Sequence, residues 1–217
     1  VPEGLRSGAY AARLTSGDNW ETIPFFVCPP KGTKTADLCV LISTFTYTIY
    51  GNQARVDFGE DWKQRAAEWG AFPWNPMEHR EFGLSTYNHH TDGSGICHAS
   101  WHRPMLNVRS GYFPIMDERG SGLRHMPADT HLTDWLEEKG ITYDVITDWE
   151  LHHEGADLLK PYKAVVTGSH PEYHTEETLD ALTGYRDNGG HFAYLGGNGF
   201  YWRVALHPEL DGLIEVR

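Results

Sequence analysis

A short β-branched run that ends in a sharp polar turn and leads into a capped helix leaves this chain few architectures. The run is Ala164-Val165-Val166-Thr167, the turn is Gly168-Ser169-His170-Pro171-Glu172-Tyr173-His174, and the helix begins near Glu176. Strand, turn and helix in that order are the building unit of an α/β protein. In open sheets of this kind, ligand sites form just beyond the carboxyl ends of the strands. A His and a Glu placed there, with Pro171 stiffening the turn between them, point to a site more than to packing.

The alternation extends over much of the chain. Residues 38–44 read as a buried strand, and 61–69 as a short helix with Trp62, Ala66 and Trp69 on one face. Residues 132–139 read as a helix capped by Asp129 and stopped by Gly140. Strands are predicted over 143–146, 164–167, 191–195 and 201–204. Thr175 caps a helix that runs to Arg186, with Glu176 and Glu177 in its first turn, where negative charge is favoured. Ahead of all this, residues 10–14 and 22–27 flank Gly17-Asp18-Asn19 as two antiparallel strands, closed off by Pro29-Pro30-Lys31-Gly32.

The expected fold is therefore α/β: a mostly parallel sheet flanked by helices, preceded by a short antiparallel β segment. Residues 1–32 are expected to be a hairpin and linker belonging to a preceding β-rich region, and residues 33–217 an incomplete α/β domain. A lone hairpin is barely stable in water. About four parallel strands also make a small sheet, and no closing element comes after them. The chain thus reads as a fragment of a longer polypeptide. Between Trp69 and Asp129 there is little periodicity, and an irregular stretch of that length is usually functional.

Composition narrows the partners. With 40% hydrophobic and 22% charged residues among 217, the chain has the means to bury a core. A formal net charge of -12 argues against nucleic acid and anionic membranes. No apolar run is long enough to cross a bilayer. The 3 cysteines show no CxxC or Cys/His metal spacing, so reduced thiols and a cytoplasmic setting are expected. Cys39 reads as a small buried hydrophobe within its strand.

Several chemistries can be set aside. No G-x-S-x-G or G-x-C-x-G elbow comes after a strand; Gly168-Ser169-His170 has glycine on one side only. There is no Walker lysine motif. Gly196-Gly197-Asn198-Gly199 succeeds a strand but lacks the dinucleotide spacing, and reads either as a loop presenting Asn198 to a ligand or as an ordinary turn. The 13 histidines include the pairs His98/His102 and His170/His174 and the cluster His152-His153-Glu154, none of them in an HExxH frame.

Zinc held by these histidines stays open, and oxygen ligands are a further option. Thr44-Phe45-Thr46-Tyr47-Thr48-Ile49-Tyr50-Gly51-Asn52 leaves the end of the first α/β strand, and Ser85-Thr86-Tyr87-Asn88-His89-His90 lies in the irregular stretch. Phenolate and carboxylate are hard anionic donors suited to a cation such as ferric iron. The plainer alternative is that a tyrosine at a strand end packs, in a chain that is 13% aromatic.

Three segments taken together carry a resemblance: Thr46-Tyr47-Thr48-Ile49-Tyr50-Gly51-Asn52; Asp92-Gly93-Ser94-Gly95 with Arg103-Pro104 after it; and Gly168-Ser169-His170-Pro171-Glu172-Tyr173. They resemble the large (beta) subunit of the N,N-dimethylformamidase family, over the whole of this chain and part of that subunit. That family pairs a β-rich portion with an α/β portion similar to the class I glutamine amidotransferase fold.

The resemblance implies a mononuclear Fe(III) centre held by two tyrosinates and a glutamate. Glu172 would be the carboxylate and Tyr87 one tyrosine. The second would be Tyr50, which precedes the small-Asn pair of the family pattern, with Tyr47 as the fallback. His170 would be an acid/base or supporting residue, and Asn198 would orient substrate. The implied reaction is hydrolysis of small N-substituted formamides, with a small partner subunit and further oligomerisation of the heterodimer. A further catalytic glutamate of the family lies downstream of Arg217. The rival expectation is a metal-free amidotransferase-like module serving a larger complex.

Overall fold

A computed structural model of the chain describes residues 2–53, 60–71, 74–112 and 123–217. Two opening strands, β1 (Gly8–Ser16) and β2 (Asn19–Val27), pair as an antiparallel ribbon around Gly17 and Asp18. Several contacts fasten the ribbon to the rest of the chain. The Ser7 hydroxyl bonds both the N–H and the C=O of Val145, Arg109 pairs with Glu21, and Phe26 packs near Tyr47.

The central sheet is parallel and four-stranded. It comprises β3 (Leu38–Ile42), β5 (Tyr143–Thr147), β6 (Ala164–Thr167) and β8 (His191–Ala193), in the order β5-β3-β6-β8. Alternation along β3 supplies two cores. Cys39 and Leu41 point to one face, with Leu151, Leu159, Val165 and Leu182; Val40 and Ile42 point to the other, with Met126, Leu136 and Val145. The first face is covered by α4 (Asp148–Glu154), α5 (Ala156–Leu159) and α6 (Glu176–Asp187), the second by α3 (Met126–Glu138).

This strand order has a functional consequence. From β3 the chain steps to β5 on one side, then crosses to β6 on the other, so the order reverses between β3 and β6. The carboxyl ends of two such strands leave a crevice between their diverging connections. Helix α1 (Thr44–Ile49) leaves β3 at that point, and the turn with His170 and Glu172 leaves β6.

A second sheet was not foreseen from the sequence. β4 (His98–Ser100), β10 (Leu213–Val216), β9 (Trp202–Leu206) and the two-residue β7 (Tyr173–His174) lie in the order β4-β10-β9-β7. Its Ala99, Val204, Ile214 and Tyr173 pack against Phe45, Ile49 and Tyr50 of α1 and its end. The irregular stretch and the chain's end therefore meet in one layer, with β10 paired to both β4 and β9.

Several expectations are corrected. Residues 44–49, for which no helix was expected, form one, since the Asp148 side chain accepts from the Thr44 hydroxyl and the Phe45 N–H and thereby holds its first turn. Asp129 is not a cap: α3 begins three residues earlier with Met126 and Pro127, and Asp129 is buried. Strands β3 and β8 stop at Ile42 and Ala193, short of the predicted ends. In α2 (Glu60–Glu68) Ala66 is buried but Trp69 just beyond is exposed, and the Trp62 side chain lies outside the described residues. Cys39 is fully buried, as expected.

Candidate functional site

Tyr50 is the C-cap residue of α1, its backbone N–H bonded to the Thr46 carbonyl. The next two residues explain why the chain stops there. A Cβ on Gly51 would meet the Thr48 carbonyl oxygen at 2.9 Å and Met105 Sδ at 2.8 Å. Asn52 is buried with φ 59°, its Oδ1 accepting from Leu106 N–H and its Nδ2 donating to the Pro104 carbonyl at 2.8 Å. Arg103 donates to the carbonyls of Leu84, Gly51 and Ser100. These bonds staple the end of α1 to the segments around residues 84 and 105. The Ser85 and Thr86 hydroxyls both donate to the Ile49 carbonyl, which brings Tyr87 over Tyr50.

Tyr50 and Tyr87 stack with ring centroids 4.3 Å apart. Their hydroxyls are 2.7 Å apart, and the Tyr50 hydroxyl lies 2.7 Å from Glu172 Oε2. Tyr87 OH is 3.5 Å from Glu172 Oε1. The residues assigned as ligands thus share one point, reached from the end of α1, from the irregular stretch and from the turn after β6. Glu172 is 2% exposed and its backbone N–H reaches the Thr46 hydroxyl. His170 Nε2 is 2.9 Å from Glu172 Oε2.

The electrostatics divide the site into phenols and one carboxylate. Burial pushes the Tyr50 and Tyr87 hydroxyls above the ordinary tyrosine range. Burial also works to raise Glu172, but hydrogen bonds from His170 and Tyr50 outweigh it, and the carboxyl sits below its usual value. Two phenols and a carboxylate are the hard oxygen set that suits a small, highly charged cation. Oxygens bound about 2 Å from an octahedral ion stand about 2.8 Å apart, so the 2.7 Å spacings serve equally as hydrogen bonds and as edges of a coordination shell. The donor set fits iron.

Tyr47, the fallback, is engaged elsewhere. Its hydroxyl bonds Asp129, which also accepts from the Ser169 N–H, and both side chains are buried. Asn198 is exposed, with φ 50°, and its side chain makes none of the hydrogen bonds found among the described residues. Its loop nonetheless abuts the turn: Gly197 N–H donates to the Ser169 carbonyl, and a Cβ on Gly197 would stand 3.5 Å from His170 Nδ1. The histidine pairs do not assemble, and among the described residues no three His, Cys, Asp or Glu side chains gather to hold a metal. His174 instead donates to the Pro171 carbonyl. Among the large aromatics, Phe45 is core and Trp101 packs on Trp149, whereas Trp202 lines a cleft of about 370 Å³ with Tyr87 and Tyr173.

Three residues at the site carried no expected role. The Arg124 guanidinium lies 4.6 Å over the Tyr50 ring and 3.3 Å from His170 Nε2. His125 packs on Tyr50 at 4.4 Å with φ 55°, its Nε2 buried without a hydrogen-bond partner among the described residues. The Tyr173 hydroxyl is 2.5 Å from that of Tyr87. Tyr173 alone had a signal, its adjacency to Glu172 in the turn.

Comparison with known proteins identifies the family. A family model described as "N,N-dimethylformamidase beta subunit-like, C-terminal" matches residues 1–216. The N,N-dimethylformamidase beta subunits of Paracoccus aminophilus and of an Alcaligenes species are 43% and 42% identical over 221 residues, covering 100% of this chain. The chain spans 28% of the length of each of these curated relatives. It belongs to the N,N-dimethylformamidase beta subunit-like family, and corresponds to its C-terminal part.

Proposed function

We propose that this chain forms the metal-holding part of an amidohydrolase that cleaves small N-substituted formamides, converting N,N-dimethylformamide to dimethylamine and formate. The observation that carries the reading is the convergence of Tyr50, Tyr87 and Glu172 oxygens at one point beyond the β3 and β6 ends. The proposed occupant is a single ferric ion. When bound there, such an ion supplies Lewis-acid polarisation of a carbonyl and acidifies water.

The chain's own residues do the rest. Tyr50, Tyr87 and Glu172, all ionised, bring three negative charges, which offset a trivalent cation. His170, its Nε2–H donated to Glu172, takes the proton of the attacking water on Nδ1 and returns it to the leaving amine, a general acid–base role suited to imidazole. Asn198, on the loop against His170, orients the amide. No protein nucleophile is required, which matches the missing elbow. On this reading the parallel sheet is an amidotransferase-like scaffold whose switch-point crevice holds a metal. Because the relatives are beta subunits, a smaller partner subunit and further assembly belong to the proposal.

The test is formate release from N,N-dimethylformamide by the full-length subunit with its partner. Glu172→Gln should lower kcat at least about 100-fold. Undiminished turnover in that variant would remove Glu172 from the reaction and the proposal with it.

A further inference from the structure

Four oxygens, not three, lie in line at this site. A carboxylate only accepts, so the Tyr50 proton, 2.7 Å from Glu172 Oε2, must point to Glu172. Tyr50 oxygen then accepts the Tyr87 proton across 2.7 Å. With its one proton committed, Tyr87 can only accept from Tyr173 across 2.5 Å. The chain of donors therefore runs Tyr173 to Tyr87 to Tyr50 to Glu172, and its direction is fixed by the carboxylate at the end.

Tyr173 is also the more firmly held of the two outer phenols. It is 3% exposed, its strand β7 pairs with β9 at Trp202, and its N–H reaches the Thr46 hydroxyl. Tyr87, by contrast, is 40% exposed and sits on an irregular segment. A fixed donor beside a looser acceptor sets where the acceptor's oxygen rests. The second sheet, through β7, thereby reaches the site.

We infer that Tyr173 is a positioning residue that donates a hydrogen bond to the Tyr87 oxygen while Tyr87 serves as a metal ligand, aiming that oxygen and weakening its electron donation. The inference rests on the metal-centre reading above. A cation displaces the two inner protons, on Tyr87 and Tyr50; the Tyr173 proton lies outside the trio and stays. Partners of this kind orient ligands and tune the metal they hold. The two phenolates become unlike, one hydrogen-bonded by Tyr173 and the other lying under Arg124.

The test uses the full-length subunit as purified, with iron content and the visible tyrosinate-to-iron absorption measured together. Tyr173→Phe keeps the packed ring and removes only the donor. Iron content should hold while the band moves to longer wavelength, because an undonated phenolate gives up electron density more readily. Tyr162→Phe, which removes a buried hydroxyl bonded to Asp144 instead, should leave the band in place. An iron-loaded Tyr173→Phe protein with an unmoved band overturns the inference and spares the metal centre. Loss of iron overturns it too, by making Tyr173 a ligand. A wild-type subunit with neither iron nor band overturns both.

Discussion

The Tyr50 hydroxyl lies 2.7 Å from Glu172 Oε2, although 122 residues separate the two in the chain. Strands β3 and β6 are neighbours in the sheet, and each delivers one of these residues beyond its carboxyl end. The meeting is a property of strand order, with the second sheet pressing α1 into place from the far side.

Tyr47 in α1 and Tyr50 at its C-cap should separate cleanly on mutation. Tyr50→Phe should release bound iron and abolish any tyrosinate absorption, at a cost of about 1–3 kcal/mol, because Glu172 stays buried with one donor fewer. Tyr47→Phe should keep the iron and cost about 1–3 kcal/mol, because Asp129 stays buried with one donor fewer. Metal analysis and denaturant melts of both variants give the answer, and the reverse pattern would make Tyr47 the ligand.

His170→Ala should retain iron yet lower formamide turnover in the assembled enzyme by about 100-fold or more. If metal is lost along with turnover, the imidazole is holding the ion and not moving a proton.

Asp148 predicts a pH effect of definite sign. Complete burial drives its carboxyl from 3.8 up to about 7, against the opposing pull of Thr44 and the Phe45 N–H. The folded chain keeps this proton where the unfolded chain has lost it, so the group's stabilising contribution is full below pH 3.8 and is lost as pH rises through about 7. Asp148→Asn cannot ionise, so its stability relative to wild type should improve as pH rises from about 4 to about 8. A difference that stays flat across that range would show that Asp148 is not protonated in the folded state.

Close approach of the loop at 196–199 to the turn after β6 gives a steric prediction. A Cβ on Gly196 would meet Pro171 Cδ at 2.5 Å and the Ser169 carbonyl oxygen at 2.6 Å, both on a turn that cannot easily move. Gly196→Ala should destabilise by about 1–3 kcal/mol, whereas Gly197→Ala, with its nearest neighbour at 3.5 Å, should cost far less. Equal melting temperatures for the two variants would show that the loop does not rest on the turn.

Much of this was legible because local chemistry agreed with the tertiary answer. Thr175 accepts from the Thr178 N–H as a cap should, and α6 ends one residue from its predicted end. The strand runs of β3 and β6 are β-branched or apolar because both faces of the sheet are covered. The second sheet was not legible: β7 has two residues and β4 three, too short for a period-2 pattern, and their partners lie far along the chain. Helix α1 was missed because its sequence, Thr-Phe-Thr-Tyr-Thr-Ile, favours strand, and the group that holds its first turn comes from Asp148. At the site, Glu172 was marked by its turn, whereas Tyr50 was preferred to Tyr47 only through the Gly-Asn pair of the family pattern. Arg124 and His125 had no such mark, since a positive φ at a histidine leaves no trace in sequence.

The most direct measurement is metal analysis of the purified full-length subunit alongside its Glu172→Ala variant. The account predicts close to one iron per wild-type chain and essentially none in the variant, with both folded by circular dichroism. Iron retained at wild-type levels after Glu172→Ala, or absent from an active wild-type enzyme, would contradict it.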